Sequence, residues 1–259
     1  MIHTFYKYQG TGNDFILIDN RPGQISKNDT KKIRFLCDRR FGIGADGLIL
    51  LEDHDSYDFR MVYFNSDGNE STMCGNGGRC IVRFAEFLGV VNGHATFEAI
   101  DGPHQAIIEG DLVKLQMQDV EGVQQFDDHV FLNTGSPHHV QMETDLDTLD
   151  VQSKGAEIRY AAPYNSAGTN VNFVKKHSDS EFAVRTYERG VEGETLSCGT
   201  GVTAVALAMN YKGETEKNHI TLKTQGGNLH VTFKKQGDSY KDVWLIGPAE
   251  QVFKGEITW

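Results

Sequence analysis

The chain has 259 residues, 39% hydrophobic and 24% charged, with four cysteines and a formal net charge of −11. That length can bury a sizeable core in one large domain or two smaller ones, and the acidity, with no Lys/Arg block to interrupt it, argues against a nucleic-acid partner. The longest apolar runs, FILI at 15–18 and LILL at 48–51, are too short to span a bilayer, and the opening MIHTFYKYQG has no signal-peptide pattern, so no membrane partner and a cytoplasmic location are expected.

In chain order, the first predicted helix covers 30–40, on the spacing of Ile33, Leu36 and Cys37. Most of the remaining pattern reads as strand, punctuated by the turn signals NSDG, IDG, QGG and KKQGD. The stretch MCGNGGRC at 73–80 places a thiol before three glycines and then runs into a helical pattern of Ile81, Phe84, Ala85 and Leu88, with Gly89 as its stop. Strand-like ATFEAI and QAIIE follow on either side of Gly102.

The same succession returns in the second half. YFNSDGNESTMCGNG (63–77) aligns without a gap on YERGVEGETLSCGTG (187–201), matching at Tyr63/Tyr187, Glu70/Glu194, Cys74/Cys198, Gly75/Gly199 and Gly77/Gly201. After Cys198 come Val202, Val205, Ala206 and Met209 at helical spacing, then Gly213, then ITLKT and LHVTF around Gly226. Upstream, Gly12 in TGND and Gly135 in TGSP precede their cysteines by 62 and 63 residues. An internal duplication explains this order. The expected fold is α/β with two similar lobes, each a sheet wrapped around one helix. The lobes are expected at 1–118 and 119–248, divided near 118–120.

A cysteine at a helix N-terminus meets unpaired N–H groups and the positive end of the helix dipole, which favour thiolate over thiol. Glycines after it let a ligand approach that backbone, so the same N–H groups can hold a carboxylate. Two such thiols, one per lobe, suggest a cleft with one thiolate and one thiol sharing a titration. That pairing can remove a proton from one face of a carbon and return one to the other. Cys37 and Cys80 read instead as buried small hydrophobes, Cys80 lying about 240° around the helix from Cys74. No cysteine spacing repeats the C-x2-C of a zinc site, and GIGADG lacks the Lys-Ser/Thr of a phosphate loop.

MCGNGGRC, YERGVEGETLSCGTG, QGTGNDF, FGIGADG and TGSPH, in this order and along nearly the whole chain, resemble the diaminopimelate epimerase family. The resemblance implies two pseudo-symmetric lobes, each a barrel-like mixed or antiparallel sheet around a central helix, with the tail 249–259 returning to the first lobe. It also implies a cofactor-independent reaction, the interconversion of LL- and meso-2,6-diaminopimelate, on the way to lysine and peptidoglycan. Cys74 and Cys198 then fill the positions of the two acid/base thiols, with Gly75-Asn76 and Gly199-Thr200 as backbone donors to the α-carboxylate. By the same resemblance Arg189 binds the distal carboxylate with Asn65 and Asn170, Glu188 faces an amine, and Asn13 and His138 map to site positions. Two positions depart from the family: Ser136 where many members have Asn, and Gly47 where some have Gln. No metal is implied, and a homodimer is compatible with the sequence.

Other readings share these features. Another two-thiol amino acid racemase would use the same cysteines, but the Glu188-Arg189 pair suits a substrate with a second charged centre. A binding protein with a thiol-disulfide switch would show no α-proton exchange under strong reductant.

Overall fold

Alternating burial along Ile2–Gly10 makes the first strand, β1, and a turn through Thr11 and Gly12, both at positive φ, returns the chain as β2 (Asn13–Asp19). The computed structural model describes residues 1–259 and divides by its contacts into two units, 1–115 with 247–259, and 116–246.

The first unit continues with α1 (Thr30–Cys37), β3 (Gly47–Glu52), β4 (Phe59–Asn65), α2 (Gly75–Phe87), β5 (His94–Ala99), β6 (Gly102–Glu109) and β7 (Leu112–Gln116). Pairing runs antiparallel for β1–β2, parallel for β2–β3, antiparallel for β3–β4, parallel for β4–β5, and antiparallel for β5–β6 and β6–β7. Helices α1 and α2 supply the two crossovers that parallel neighbours require. The C-terminal strand β17 (Glu250–Thr258) adds to the free edge of β1.

The second unit holds β8 (Gln124–Gln125), β9 (His129–Asn133), β10 (Pro137–Met142), α3 (Val151–Tyr160), β11 (Asn170–Ser178), β12 (Glu181–Glu188), β13 (Gly193–Thr195), α4 (Gly199–Tyr211), β14 (His219–Thr224), β15 (Gly227–Gln236) and β16 (Ser239–Pro248). From β9 through β10, β11, β12, β14, β15 to β16 the alternation of antiparallel and parallel neighbours repeats that of β1 to β7. Helices again occupy the crossovers. The duplication read in the sequence is thus a repeat of topology.

In each unit the second helix is the core. Residues of α2 touch β1, β2, β3 and β6, and α4 touches β9, β10, β11, β12, β14 and β15. Six flat strands would extend about 24 Å at ~4.8 Å per step, twice the diameter of a helix, so the sheet must curl around α4 for one helix to reach both ends. Helix α4 is buried from Val202 to Asn210 without a polar face, as a helix enclosed on all sides should be. Both helices end in the same way: Gly89 and Gly213 take positive φ, the Val90 and Glu214 amides reach back to the Ala85 and Met209 carbonyls, and the Gly89 and Gly213 amides to those of Glu86 and Asn210. This is the paired hydrogen bonding of a Schellman stop.

Two expectations need correction. Helix α1 ends at Cys37 rather than 40, because Asp38 turns extended and its carboxylate accepts from the Arg40 and Phe41 amides. The duplicated hairpin glycine is Gly227 rather than Gly226: Gly227 opens β15 opposite Thr224 at φ 134°, as Gly102 opens β6 opposite Ala99 at φ 114°. One extra residue between Gly213 and His219 shifts the register there. No helix is long and apolar enough to cross a membrane.

Candidate active site

Both repeat cysteines are the N-cap residues of their helices, Cys74 of α2 and Cys198 of α4, with extended backbone and no capping bond from the side chain. Extended φ/ψ at the cap is what leaves the first helical N–H groups pointing outward. The glycines that follow keep the helix start close to its neighbours. A Cβ on Gly201 would stand 2.6 Å from Asn172 Oδ1 and 3.3 Å from Cys198 Sγ.

In the first unit Cys74 Sγ lies 3.6 Å from Asn13 Oδ1, which also accepts from Asn76 Nδ2 at 3.4 Å. The Asn13 amide is oriented by Asp46, whose Oδ2 accepts from Nδ2 at 2.5 Å. Asp46 belongs to a charge cluster in which Arg39 donates to both Asp14 and Asp46, and Lys7 pairs with Asp14. Burial would raise the Asp14 carboxyl, but the Arg39 and Lys7 contacts outweigh it and hold it at about 2. Behind Asn76 sits a fully buried arginine, Arg79, donating to the Gly75 carbonyl, Asn76 Oδ1, Thr11 Oγ1 and the Pro248 carbonyl. Burial lowers its pKa to about 10, so it remains a cation at neutral pH. Asn65 ends β4 as an exposed turn residue, its amide donating to the Asn69 carbonyl and its carbonyl accepting from Gly68. Gly47, opposite Asn65 in the ladder, is required by packing: a Cβ there would stand 2.5 Å from the Tyr63 ring.

In the second unit Cys198 Sγ lies 3.5 Å from Thr200 Oγ1, which is 3.1 Å from Ser136 Oγ. Ser136 Oγ is in turn 3.0 Å from His138 Nε2 and accepts from Asn170 Nδ2 at 3.1 Å. His138 is completely buried at the start of β10, and its Nδ1 meets Asn172 Nδ2 at 3.1 Å. Burial first, and the Arg189 charge second, push the imidazole down to about 3, so it is neutral. Asn170 Oδ1 accepts the Arg189 amide at 2.9 Å, and the Arg189 guanidinium donates to the Ala167 carbonyl at 3.0 Å. Glu188 accepts from Thr195 Oγ1 at 3.0 Å. Asn170 and Asn172 project from one face of β11, two residues apart, towards His138 on β10 and Ser136 just before it.

Each unit therefore gathers its own share of the expected residues around one thiol: Asn13, Cys74, Gly75 and Asn76 in the first, and His138, Asn170, Arg189, Cys198, Gly199 and Thr200 in the second. The half-buried partners Asp46 and Ser136 and the buried partners Arg79 and Asn172 were not singled out as binding residues. Asp46 follows directly on GIGA and Asn172 stands two residues after Asn170, so strand alternation could have flagged the latter. Cys37 and Cys80 are buried, and burial pushes both thiols up to about 12, in keeping with inert core cysteines.

The diaminopimelate epimerase family model matches residues 5–122 and 130–252. A diaminopimelate epimerase of Flavobacterium psychrophilum is 58% identical over 253 residues, covering 97% of this chain and 99% of its own. The diaminopimelate epimerase of Aquifex aeolicus is 39% identical over 278 residues, covering 98% and 97%. Among solved structures, a PhzF-family phenazine biosynthesis protein of Bacillus anthracis superposes with a TM-score of 0.79 at 13% identity over 100% of both chains. A hydroxyproline epimerase of Agrobacterium vitis gives 0.70 at 13% identity, over 99% of this chain and 92% of that one. These two distant structures share the fold. Matches of the family model to both halves, and relatives aligned nearly end to end, assign the sequence: the chain belongs to the diaminopimelate epimerase family.

Proposed function

We propose that Cys74 and Cys198 are the two acid/base groups of a cofactor-independent epimerase that interconverts LL- and meso-2,6-diaminopimelate in lysine biosynthesis. The observation that carries this reading is the duplicated N-cap: a thiol with glycine behind it at the start of a central helix, once in each unit. One thiolate takes the α-proton, and the other thiol delivers its proton to the opposite face. The roles exchange in the reverse direction.

An α-proton is far less acidic than a thiol, and a positioned acid or base contributes only ~10²–10⁴-fold. The remainder must come from donors aimed at the α-carboxylate, where negative charge collects as the proton leaves. The outward N–H groups at Gly75-Asn76 and Gly199-Thr200 are suited to this task, each backed by a helix dipole. At the distal centre, Arg189 offers a guanidinium fork to a carboxylate and Glu188 a carboxylate to the ammonium, and Asn65 is assigned to the same carboxylate as an amide donor. Asn170 holds the Arg189 backbone through its Oδ1. Asn13 and His138 orient the groups next to the two thiols. A substrate lacking the second charged centre would offer Glu188 and Arg189 no charged group to bind, which sets the preference for diaminopimelate over a simple amino acid. We place the reaction in the cytoplasm.

The test is single substitution. Cys74→Ala and Cys198→Ala are each expected to abolish inversion of LL-diaminopimelate while the chain keeps its fold by circular dichroism. Full epimerisation by either variant would refute the assignment.

A further inference from the structure

The hydrogen bonds around Cys198 have a direction that can be worked out from the fixed donors and acceptors at their ends. Asn172 Nδ2 donates to the His139 carbonyl at 3.0 Å while Asn172 Oδ1 accepts from Thr186, so its amide cannot be reversed, and Nδ2 also faces His138 Nδ1 as a donor. The neutral imidazole of His138 must then carry its proton on Nε2 and donate to Ser136 Oγ. Asn170 is fixed likewise: Nδ2 donates to the Pro137 carbonyl at 3.1 Å and Oδ1 accepts the Arg189 amide, so Nδ2 donates to Ser136 Oγ as well. With two donors on its oxygen, Ser136 has only its own proton left to offer, and it goes to Thr200 Oγ1. The Thr200 proton is thereby turned towards Cys198 Sγ.

Around Cys74 the same reasoning gives the opposite sense. Arg79, which can only donate, holds Asn76 Oδ1 at 3.1 Å, and the Asp46 carboxylate, which can only accept, holds Asn13 Nδ2. Asn13 therefore presents its carbonyl oxygen to Cys74, an acceptor that suits a thiol and opposes a thiolate. Both cysteines are N-caps, so the helix dipole does not separate them. Each half also contains one cation close to its network: Arg79, whose charge acts on Cys74 and Cys80, and Arg189, whose charge acts on His138, so the difference between the two thiols lies in the direction of the hydrogen bonds. The Asp14 and Asp46 charges are matched by Lys7 and Arg39.

We propose that Ser136 is a positioning residue that aims the Thr200 hydroxyl at Cys198, so that Cys198 rests as the thiolate and Cys74 as the thiol. This rests on the two-thiol reading above and adds which thiol begins as base. It also gives a role to the position where this chain has Ser in place of the more usual Asn.

The experiment is alkylation by iodoacetamide across pH 5–10 without substrate, with each cysteine quantified separately by peptide mass. The midpoint of each profile reports ionisation independently of how accessible the sulfur is. In the unaltered protein the Cys198 midpoint is expected below that of Cys74. Ser136→Ala should raise the Cys198 midpoint and slow its alkylation at pH 7 by roughly tenfold, the effect of about one pKa unit, with Cys74 unmoved; Ser136→Thr, which keeps the hydroxyl, should restore it. Should Ser136→Ala not fold, Thr200→Val and Thr200→Ser make the same comparison. A lower midpoint at Cys74, or variants that move neither site or both together, would overturn the proposal. The two-thiol reading is judged separately, by turnover of the cysteine variants.

Discussion

Gly201→Ala should separate activity from stability. Gly201 is the third residue of α4, and a methyl there would meet Asn172 Oδ1 at 2.6 Å, Cys198 Cβ at 3.2 Å and Cys198 Sγ at 3.3 Å. Alanine is the better helix former by up to ~1 kcal/mol, whereas forcing an extra methyl into a packed site costs ~1–3 kcal/mol. The net loss of stability is therefore about 0–2 kcal/mol. Activity should suffer more. Asn172 has to retreat by most of an ångström to reach an ordinary contact, and it holds His138 Nδ1, so the chain through Ser136 and Thr200 shifts together with the sulfur. Misplacement on the order of 1 Å costs about 10²-fold in rate. Gly77→Ala, the repeat-related position in α2, is the control: its methyl would meet only side-chain ends, Ile49 Cδ1 at 3.2 Å, Met61 Cε at 3.5 Å and Phe15 Cε1 at 3.5 Å. Urea unfolding and kcat/KM should be measured on both variants. The expected result is similar stability for the two, with about a hundredfold drop in kcat/KM confined to Gly201→Ala. Equal activities in the two variants would refute the reasoning.

Further predictions concern support of the distal site and acid stability. Arg159 donates to Glu192 Oε1 at 3.0 Å and to the Asn165 carbonyl, while Glu192 Oε1 also accepts the Gly190 amide, so this ion pair ties the turn after Arg189 to the loop bearing Ala167. Arg159→Met should raise KM for diaminopimelate several-fold with a smaller change in kcat; a fall in kcat alone would contradict that role. Burial, with the neighbouring Arg189 and His129 charges, depresses His138 to about 3 and His139 to about 4, below the ordinary 6.5. The unfolded chain then binds more protons below pH 6.5, so their contribution to stability is complete above 6.5 and is lost as pH falls towards 3–4. The urea midpoint should already decline between pH 6.5 and 5, and a midpoint that stays flat until the carboxylate range would contradict this. Asp14, held at about 2 against 3.8, keeps its contribution above pH 4 and loses it between 4 and 2. Asp14→Asn should therefore flatten the stability profile in that window.

The parts of the fold that local chemistry dictates were legible in the sequence. Glycines after a cysteine and an apolar 3.6-residue period mark an N-cap and a core helix, and Gly89 and Gly213 mark the stops, because each signal lies within a few residues of what it determines. The slip from Gly226 to Gly227 was not legible, since a one-residue insertion in a loop leaves the flanking patterns intact. Nor was the polar network. Ser136 meets Asn170 only because β10 and β11 pair in parallel with His138 opposite Asn170, and Asn13 meets Asp46 across the β2–β3 pairing. Register between distant strands decides such contacts, and nothing local announces it. Gly47 illustrates the converse: the resemblance made it a departure from a polar residue, and the Tyr63 ring against it explains why a side chain would not fit.

The central claim is that two thiols act on opposite faces of one carbon. Incubation with LL-diaminopimelate in D2O, sampled early and resolved by stereoisomer, tests it most directly. The account predicts deuterium at the inverted α-carbon of the meso product, while the remaining LL substrate keeps its hydrogen. Product that retains the original hydrogen, or label appearing equally in both pools from the first turnovers, would point to a single base and contradict it.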